Sequence, residues 1–272
     1  MSFTVIIPAR MKSTRLPEKP LKDICGKPMI VRVAEAASRT GASRIAVATD
    51  HEAIYEACRT AGIECVMTRA DHPTGTDRLA EAASLLGLAA DEIVVNIQGD
   101  EPLMPAEAVN QTAALLADRP ECAVATAAHT LTSIEDFFSP NVVKVELDSR
   151  GNALTFSRAP IPWPRDAFRK DQTQLPEGFR PLHHLGLYAY RVGFLKKFPT
   201  LAPAPIEEAE SLEQLRALWN GEKIAVLVLH QALPAGVDTE EDLERVRAVF
   251  AQTPGDAPSP GTPAGARANL RG

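Results

Sequence analysis

The sequence predicts an α/β fold with a mainly parallel sheet flanked by helices and a smaller mixed-sheet subdomain. Short apolar runs alternate with amphipathic segments through the first half of the 272 residues, at the spacing of βαβ units. These runs are continuous, which is typical of strands that are buried on both faces. In the second half, several strand-like runs lie too close together for helical crossovers. Antiparallel pairing is therefore expected there.

The first half contains four predicted strands, each followed by a helix. The first strand, FTVIIP at 3–8, leads through the polar loop 9–27 to a helix that begins near Pro28, a favoured first-turn residue. The remaining strands cover 44–49, 64–67 and 92–98, and the helices after them cover 51–61, 77–86 and 105–117. In open parallel sheets, ligands bind beyond the carboxyl ends of the strands, so the residues that follow the strands are the candidate site.

The second half mixes strands and helices. Strands are predicted at 123–130, 142–147, 153–157, 185–191 and 223–229, and helices at 206–218 and 239–250. The proline-rich segment 158–181 is expected to form a long loop or lid. No Pro/Gly-rich break precedes residue 252, so 1–252 is expected to be one domain, with a subdomain at roughly 123–200. In contrast, 12 of the last 20 residues are Pro, Gly or Ala, and 253–272 is expected to be disordered.

Composition excludes several classes of protein. With 29 basic and 35 acidic residues, the chain carries a net charge of −6, which argues against a general nucleic-acid binder. It has no run of about 18 apolar residues that could span a membrane, and its start is typical of a strand rather than an export signal. The four cysteines have no metal-binding spacing and suit reduced thiols in a cytoplasm.

A basic loop follows the first strand. Arg10, Lys12, Arg15 and Lys19 stand within ten residues, and Ser13 adds a hydroxyl donor. Arginine forks and lysine ammonium groups bind phosphate oxygens, so the loop is a candidate anion site. It contains neither a Walker motif nor GxGxxG. An ordinary solvated surface loop is the alternative.

Two carboxylates follow later strands. Asp100 lies in NIQGDEP after the fourth strand, where one carboxylate and substrate phosphates could hold Mg²⁺; a simple turn is the alternative. Asp238 precedes a helix whose Thr239 and Asp242 resemble a capping box.

The segment 74–78 contains a predicted helix N-terminus and Arg78, both of which could contact an anion or a base. Capping of the helix explains these residues equally well.

The ordered motifs resemble those of the 3-deoxy-manno-octulosonate cytidylyltransferases, or CMP-Kdo synthetases. The resemblance covers about residues 3–250 and includes IPARMKSTRLPEKPL, MTRADHPTGTDRLAE, NIQGDEP, FSRAPIPWPRD, HLGLYAYR, ESLEQLR and GVDTEEDLERVR. It implies a nucleotide-diphospho-sugar transferase-type fold, a cytoplasmic homodimer and a step in lipopolysaccharide synthesis. The implied reaction is Mg²⁺-dependent transfer of CMP from CTP to Kdo, with release of pyrophosphate.

The resemblance also implies roles for individual residues. Arg10, Lys19 and Asp100 would be catalytic, and Asp100 and Asp238 would hold the magnesium ion. CTP would contact Pro8, Ala9, Arg10, Ser13, Arg15, Lys19 and Arg78. The sugar would contact Gln98, Arg158, His184, Tyr188, Glu210 and Gln214. A histidine that serves only the packing of the protein is the alternative for His184.

Other functions stay open on the sequence alone. The nearest alternative is a cytidylyltransferase for 8-amino-Kdo or another acid sugar such as sialic acid. A nucleotide- or sugar-binding regulator without activity is disfavoured, because both candidate metal carboxylates and all loop cations are present. A partner-binding protein that uses its Pro-rich tail is the third alternative. The strands of the second half are the expected dimer contacts.

Overall fold

The computed structural model describes residues 2–11 and 15–252, so Ser13 and the predicted tail 253–272 lie outside the described residues. The strands are β1 (Thr4–Ala9), β2 (Asp23–Ile24), β3 (Lys27–Pro28), β4 (Arg44–Thr49), β5 (Glu64–Met67), β6 (Ile93–Asn96), β7 (Val124–Thr130), β8 (Lys144–Leu147), β9 (Ala153–Ser157), β10 (Leu182–Arg191) and β11 (Ile224–Leu229). The helices are α1 (Met29–Ser38), α2 (Glu52–Thr60), α3 (Gly75–Leu85), α4 (Ala106–Ala117), α5 (Ile134–Phe138), α6 (Arg165–Phe168), α7 (Val192–Lys197), α8 (Pro205–Glu210), α9 (Leu215–Trp219) and α10 (Glu240–Ala251). Within the described ranges, none of these helices has the length and apolar character needed to cross a membrane.

A nine-stranded sheet organises the molecule in the order β11-β7-β10-β6-β1-β4-β5, with β8 and β9 attached through β10. β1 pairs in parallel with β4 and β6, β4 with β5, and β7 with β11. β10 runs antiparallel to both β6 and β7, and β8 pairs antiparallel with β9. The predicted fold class, a mainly parallel sheet with antiparallel strands in the second half, is therefore confirmed.

Both faces of the sheet are covered, which explains the continuous apolar run at the start of the chain. Val5 and Ile7 point to the face covered by α1, α2, α4 and α10, whereas Ile6 points to the face covered by α3, α7 and α9. All three side chains are fully buried. Because strand side chains alternate between faces, a strand between two helical layers needs an apolar residue at every position.

The segment 9–27 contains more structure than the predicted polar loop. β2 and β3 form a small antiparallel hairpin, and its two turn residues, Cys25 and Gly26, have φ angles of 51° and 84°. Two consecutive positive φ angles are typical of the tight turns that match the twist of a hairpin. Arg32 of α1 is buried beneath the hairpin and donates hydrogen bonds to the carbonyl oxygens of Ile24 and Cys25.

The single helix predicted at 206–218 is wrong. The chain forms two short helices, α8 and α9, because Ser211 adopts a left-handed conformation with φ of 50° and ends α8. A buried ion pair between Glu207 and Arg216 joins the two helices, with nitrogen–oxygen distances of 2.6–3.1 Å. Because of this break, residues 211–214 do not continue the helical face pattern that the predicted helix would give them.

The proline-rich segment 158–181 is anchored rather than free along its length. It contains the short helix α6, and Phe168 at the end of that helix is buried. Phe168 and Phe179 pack edge-on against Phe137 of α5, at ring-centre distances of 6.0 and 5.6 Å. The segment is thus a packed layer over α5, and its predicted role as a lid stays a prediction.

Candidate active site

The carboxyl end of β1 meets the turn that follows β6. A Cβ atom on Gly99 would lie 2.7 Å from the carbonyl oxygen of Pro8, so the two backbones approach more closely than a larger residue allows. Pro8 and the buried Ala9, which are predicted to lie near the cytosine, therefore adjoin the segment that carries Asp100. The parallel register of β1 and β6 brings these distant parts of the sequence together.

The two predicted metal carboxylates meet at the ammonium group of Lys19. Lys19 Nζ lies 2.6 Å from Asp100 Oδ2 and 3.0 Å from Asp238 Oδ1. Arg15 holds the other oxygen of Asp238 at 2.9 Å. Burial lowers the pKa of Lys19, but the Asp100 and Asp238 carboxylates outweigh it and raise the pKa above its ordinary value. Residues from three segments thus form one charged cluster, and their roles in metal and CTP binding stay predictions.

Backbone contacts hold Asp238 beside Asp100. The Val237 N–H donates to the Asp100 carbonyl oxygen over 2.9 Å. Directly after Asp238, Thr239 and Asp242 form the predicted capping box at the start of α10. Asp242 also accepts a hydrogen bond from the Asp238 N–H at 3.1 Å, so the cap fixes the backbone that presents the Asp238 side chain.

Arg10 connects the basic loop to the loop before α3. Its guanidinium donates to the carbonyl oxygens of Thr74, at 2.8 Å, and His72, at 3.4 Å. Thr74 in turn caps α3 through a reciprocal pair of contacts with Asp77. Helix capping, the alternative for segment 74–78, is therefore present, but the cap residue is Thr74 and not Thr76 or Asp77; Asp77 is its reciprocal partner in the capping box.

Arg78 occupies a different environment from the one predicted. Its side chain is fully buried, and it donates to Thr68 Oγ1 at 2.6 Å and to Asp50 Oδ2 at 2.9 Å. In this conformation Arg78 offers no exposed surface to a nucleotide, because α3 packs it against the ends of β4 and β5. A contact between Arg78 and the nucleotide stays a prediction that requires a rearrangement.

A cavity of about 80 Å³ lies against the face of the sheet formed by β6, β7, β10 and β11, beside the N-terminus of α3. Three of the six residues predicted to bind sugar line it, namely Gln98, Tyr188 and Gln214. The other lining residues are Gly75, Thr76, Asn96, Val124, Tyr190, Phe194, Phe198, Glu213, Ala217 and Ile224. Aromatic rings therefore surround a small set of convergent polar groups, as in many ligand sites.

Glu213 lines the cavity and is absent from the predicted site. Its Oε1 atom and the Oδ1 atom of Asn96 are buried and have no hydrogen-bond partner among residues 2–11 and 15–252. Burial raises the pKa of Glu213 above its ordinary value, and the hydroxyls of Thr76 and Thr74 only partly offset this shift. The ESLEQLR motif contains Glu213, but the predicted continuous helix gives no reason to choose it over Glu210.

His184 lies behind the cavity wall rather than on it. The ring is 5.3 Å from the Tyr188 ring and edge-on to Phe156 at 4.8 Å. His184 Nε2 lies 3.0 Å from Thr126 Oγ1, a hydroxyl that also faces the carbonyl oxygens of Leu187, at 2.8 Å, and Leu185, at 3.2 Å. Burial lowers the pKa of His184 to about 3, which keeps the ring neutral.

Arg158 and Glu210 bind each other instead of lining the cavity. The Glu210 carboxylate accepts hydrogen bonds from Ser157 Oγ at 2.6 Å and from the Arg158 N–H at 2.9 Å. The Arg158 guanidinium donates to the carbonyl oxygens of Glu210, at 2.7 Å, and Pro140, at 2.9 Å. The predicted carboxylate clamp is therefore occupied by backbone oxygens, and its contact with a sugar stays a prediction.

Comparisons with known proteins show which family this chain resembles. The family model for cytidylyltransferases matches residues 4–224. A relative from Herminiimonas arsenicoxydans, named 3-deoxy-manno-octulosonate cytidylyltransferase, is 58% identical over 252 residues, which cover 93% of this chain and 100% of the relative. The match therefore extends over nearly the whole chain.

Solved structures show the same fold. A CMP:2-keto-3-deoxy-manno-octonic acid synthetase complexed with CTP is 42% identical, with a TM-score of 0.83 over 92% of this chain and 98% of that one. A cytidylyltransferase from Leptospira borgpetersenii serovar Hardjo-bovis shares the fold at 15% identity, with a TM-score of 0.60 over 94% and 89% of the two chains. The resemblance noted in the sequence is thus confirmed, and the chain belongs to the 3-deoxy-manno-octulosonate cytidylyltransferase family.

Proposed function

We propose that this chain transfers CMP from CTP to the anomeric hydroxyl of Kdo, giving CMP-Kdo and pyrophosphate. The observation that carries the proposal is the cluster of Lys19, Asp100 and Asp238 at the carboxyl ends of the parallel strands. There, a basic loop suited to a triphosphate meets two carboxylates suited to a cation. The names of the 58% and 42% identical proteins support the same nucleotide and sugar.

The cations of the basic loop would reduce the repulsion between the two negatively charged substrates. Both CTP and Kdo are anions, so repulsion contributes to the barrier, and negative charge develops on the departing pyrophosphate. Arg10, Arg15 and Lys19, with Ser13 as an added donor, would neutralise the triphosphate where it faces the loop. Preorganised cations of this kind stabilise the transition state without having to move during the reaction.

Asp100 and Asp238 suit a magnesium ion. One carboxylate oxygen of each lies within 3.0 Å of a single positive charge, and Mg²⁺ binds in proteins through one or two carboxylates while substrate phosphates complete its shell. Among the described residues no cluster of three or more His, Cys, Asp or Glu could hold a metal, so the triphosphate would supply the remaining ligands. Bound Mg²⁺ would polarise the α-phosphate and lower the pKa of the attacking hydroxyl.

The cavity suits a polyhydroxylated acid sugar. Glu213 and Asn96 contribute buried acceptor atoms that lack partners, and sugar hydroxyls would donate hydrogen bonds to them. Gln98, Tyr188 and Gln214 line the same space. Because burial raises the pKa of Glu213, this group binds a proton more readily than an exposed glutamate and repels the sugar carboxylate less.

A homodimer in the cytoplasm, serving lipopolysaccharide synthesis, completes the proposal. The subdomain of roughly residues 123–200 would supply the dimer contacts. Among the described strands, β9 pairs with β8, next to an isolated bridge between Asn152 and Ala225 of β11, and Leu154 on β9 is 64% exposed. An apolar side chain on an edge strand is a natural place for a second copy to pack.

A comparison of three acceptor sugars tests the choice of substrate. Kdo, 8-amino-Kdo and sialic acid are each incubated with CTP, Mg²⁺ and the protein, and kcat/KM is measured from product formation. We expect kcat/KM for Kdo to exceed the values for the other two sugars by at least about tenfold, because the missing or altered hydroxyl leaves buried polar groups unpaired. A higher value for 8-amino-Kdo or sialic acid would reassign the sugar and keep the cytidylyltransferase chemistry.

A further inference from the structure

We propose that Lys19 is an internal cation that occupies the metal position between Asp100 and Asp238 until the nucleotide arrives. When the triphosphate binds, it would offer the ammonium group new oxygen partners and so free the two carboxylates for a divalent metal. This inference rests on the proposed function, in which the two carboxylates bind the metal. It assigns Lys19 a role in the order of binding as well as in the neutralisation of phosphate charge.

The geometry of the cluster carries the inference. Lys19 Nζ lies 2.6 and 3.0 Å from one oxygen of each carboxylate, which is the bridging position of a shared cation. A magnesium ion at the same point needs oxygen ligands at about 2.0–2.1 Å. Movements of about 0.5 and 0.9 Å by the two carboxylates would convert the ammonium site into a metal site. Lys19 and a metal therefore compete for one position.

The charge balance of the cluster also indicates that Lys19 and a metal ion compete for one position. Arg15 pairs with the second oxygen of Asp238, so two cations from the basic loop face two carboxylates. The cluster is then close to neutral, and a divalent ion entering it would meet the repulsion of Lys19 at short range. The Lys19 side chain is only 16% exposed, against 66% for Arg15, so water screens its interactions less.

The local backbone allows the side chain to move without the chain. Lys19 begins a short 3₁₀ turn, Lys19–Leu21, that hydrogen-bonds to its neighbours, and the buried Pro20 fixes it to the body of the protein. The four-carbon stem of lysine can redirect its ammonium group, whereas a planar arginine fork cannot do so as freely. The Lys19 side chain can therefore change partners while the loop backbone stays in place.

Manganese binding in the absence of nucleotide and sugar tests the inference. Free Mn²⁺ is measured by electron paramagnetic resonance during titration of the wild-type protein and of Lys19→Met, with Lys22→Met as a matched loss of charge nearby. We expect Lys19→Met to bind Mn²⁺ at least about tenfold more tightly than the wild type, because the competing charge is gone. Lys22→Met should bind Mn²⁺ as the wild type does.

Two further variants keep the outcome clear. Lys19→Gln also lacks the charge and should bind Mn²⁺ more tightly than the wild type, so it replaces Lys19→Met if that variant does not fold. Lys19→Arg keeps the positive charge and should bind Mn²⁺ as weakly as the wild type does. Mn²⁺ affinity of Lys19→Met and Lys19→Gln at or below the wild-type value would overturn the inference. Since no substrate is present, this result is independent of whether the protein uses CTP and Kdo, and a higher kcat/KM for another sugar would instead reassign the acceptor of the proposed function.

Discussion

At the level of single residues, Glu213 is notable because one of its buried carboxylate oxygens lacks a hydrogen bond among the described residues. Glu213 nevertheless borders a cavity. A buried polar atom without a partner typically destabilises a protein by about 1–3 kcal/mol, so a ligand that donates to it gains binding energy. The environment of Glu213 thus indicates sugar binding more directly than its place in the sequence does.

Replacing Glu213 with Gln should raise the KM for Kdo by about 10–100-fold and leave the KM for CTP within about twofold. The reason is that glutamine presents a different group to the sugar, so a buried hydrogen bond to a sugar hydroxyl is lost, which typically costs about 1–3 kcal/mol. Steady-state kinetics with each substrate varied in turn measures the effect. Glu208→Gln, an exposed change on α8, is the control. An unchanged KM for Kdo would remove Glu213 from the sugar site.

His184 makes stability depend on pH. Burial lowers the pKa of His184 to about 3, whereas an unfolded chain has a histidine pKa of about 6.5. Between these values the unfolded state binds a proton that the native state does not, so the free energy of unfolding falls as pH drops below about 6.5. His183 adds a similar contribution, because burial lowers its pKa to about 4.

Chemical denaturation at about pH 6.5 and about pH 5 tests this expectation, since one such group changes the free energy of unfolding by about 1.4 kcal/mol per pH unit. His184→Gln should lose less stability on acidification than the wild type, by about 1–2 kcal/mol over this interval. His230→Gln, which removes an exposed histidine, should keep the wild-type dependence. A wild-type pH slope in His184→Gln would contradict the burial argument.

At the level of elements, the sequence predicts strands and helices best where a single physical pattern decides them. The strands at 44–49, 64–67 and 153–157 have the predicted bounds, because the short, largely apolar runs there are bounded by polar or turn residues. The hairpin of β2 and β3 is not predicted, since each of its strands has only two residues. The break at Ser211 is also missed, because a left-handed serine has no distinctive local signal.

Gly99 sets the distance between β1 and the segment after β6. Gly99→Ala should lower the free energy of unfolding by about 1–3 kcal/mol and weaken CTP binding, because the new methyl group would displace the Pro8 carbonyl. Urea denaturation and calorimetric titration with CTP measure the two effects. Gly186→Ala places a methyl group in open space and should change CTP binding little. Equal effects of the two changes would contradict the close-approach argument.

At the level of the whole molecule, the sheet order explains what the sequence predicts of the site and what it does not. Residues that directly follow parallel strands, such as Asp100, could be placed because the carboxyl ends of parallel strands share one edge. Whether a side chain faces the cavity or the interior depends on packing between distant elements. Arg78 and Arg158 therefore have partners within the protein that the sequence does not reveal.

The contribution of residues 253–272 to activity and stability can be tested by truncation. A protein that ends at Gln252 should keep kcat/KM and thermal stability close to those of the full chain, because the proposed site is formed by residues before 239. The tail also has too few large apolar residues to contribute a core. Activity and melting temperature of the two forms, compared side by side, give the answer. A tenfold loss of kcat/KM on truncation would assign the tail a role in the enzyme.

The most direct test of the central claim is pyrophosphate release from the purified protein with CTP, Kdo and Mg²⁺, with each omitted in turn. Release that requires all three components is the predicted result, because the carboxylate cluster, the basic loop and the cavity each serve one of them. Release without Kdo, or none with all three present, would contradict the assignment of this site to CMP transfer.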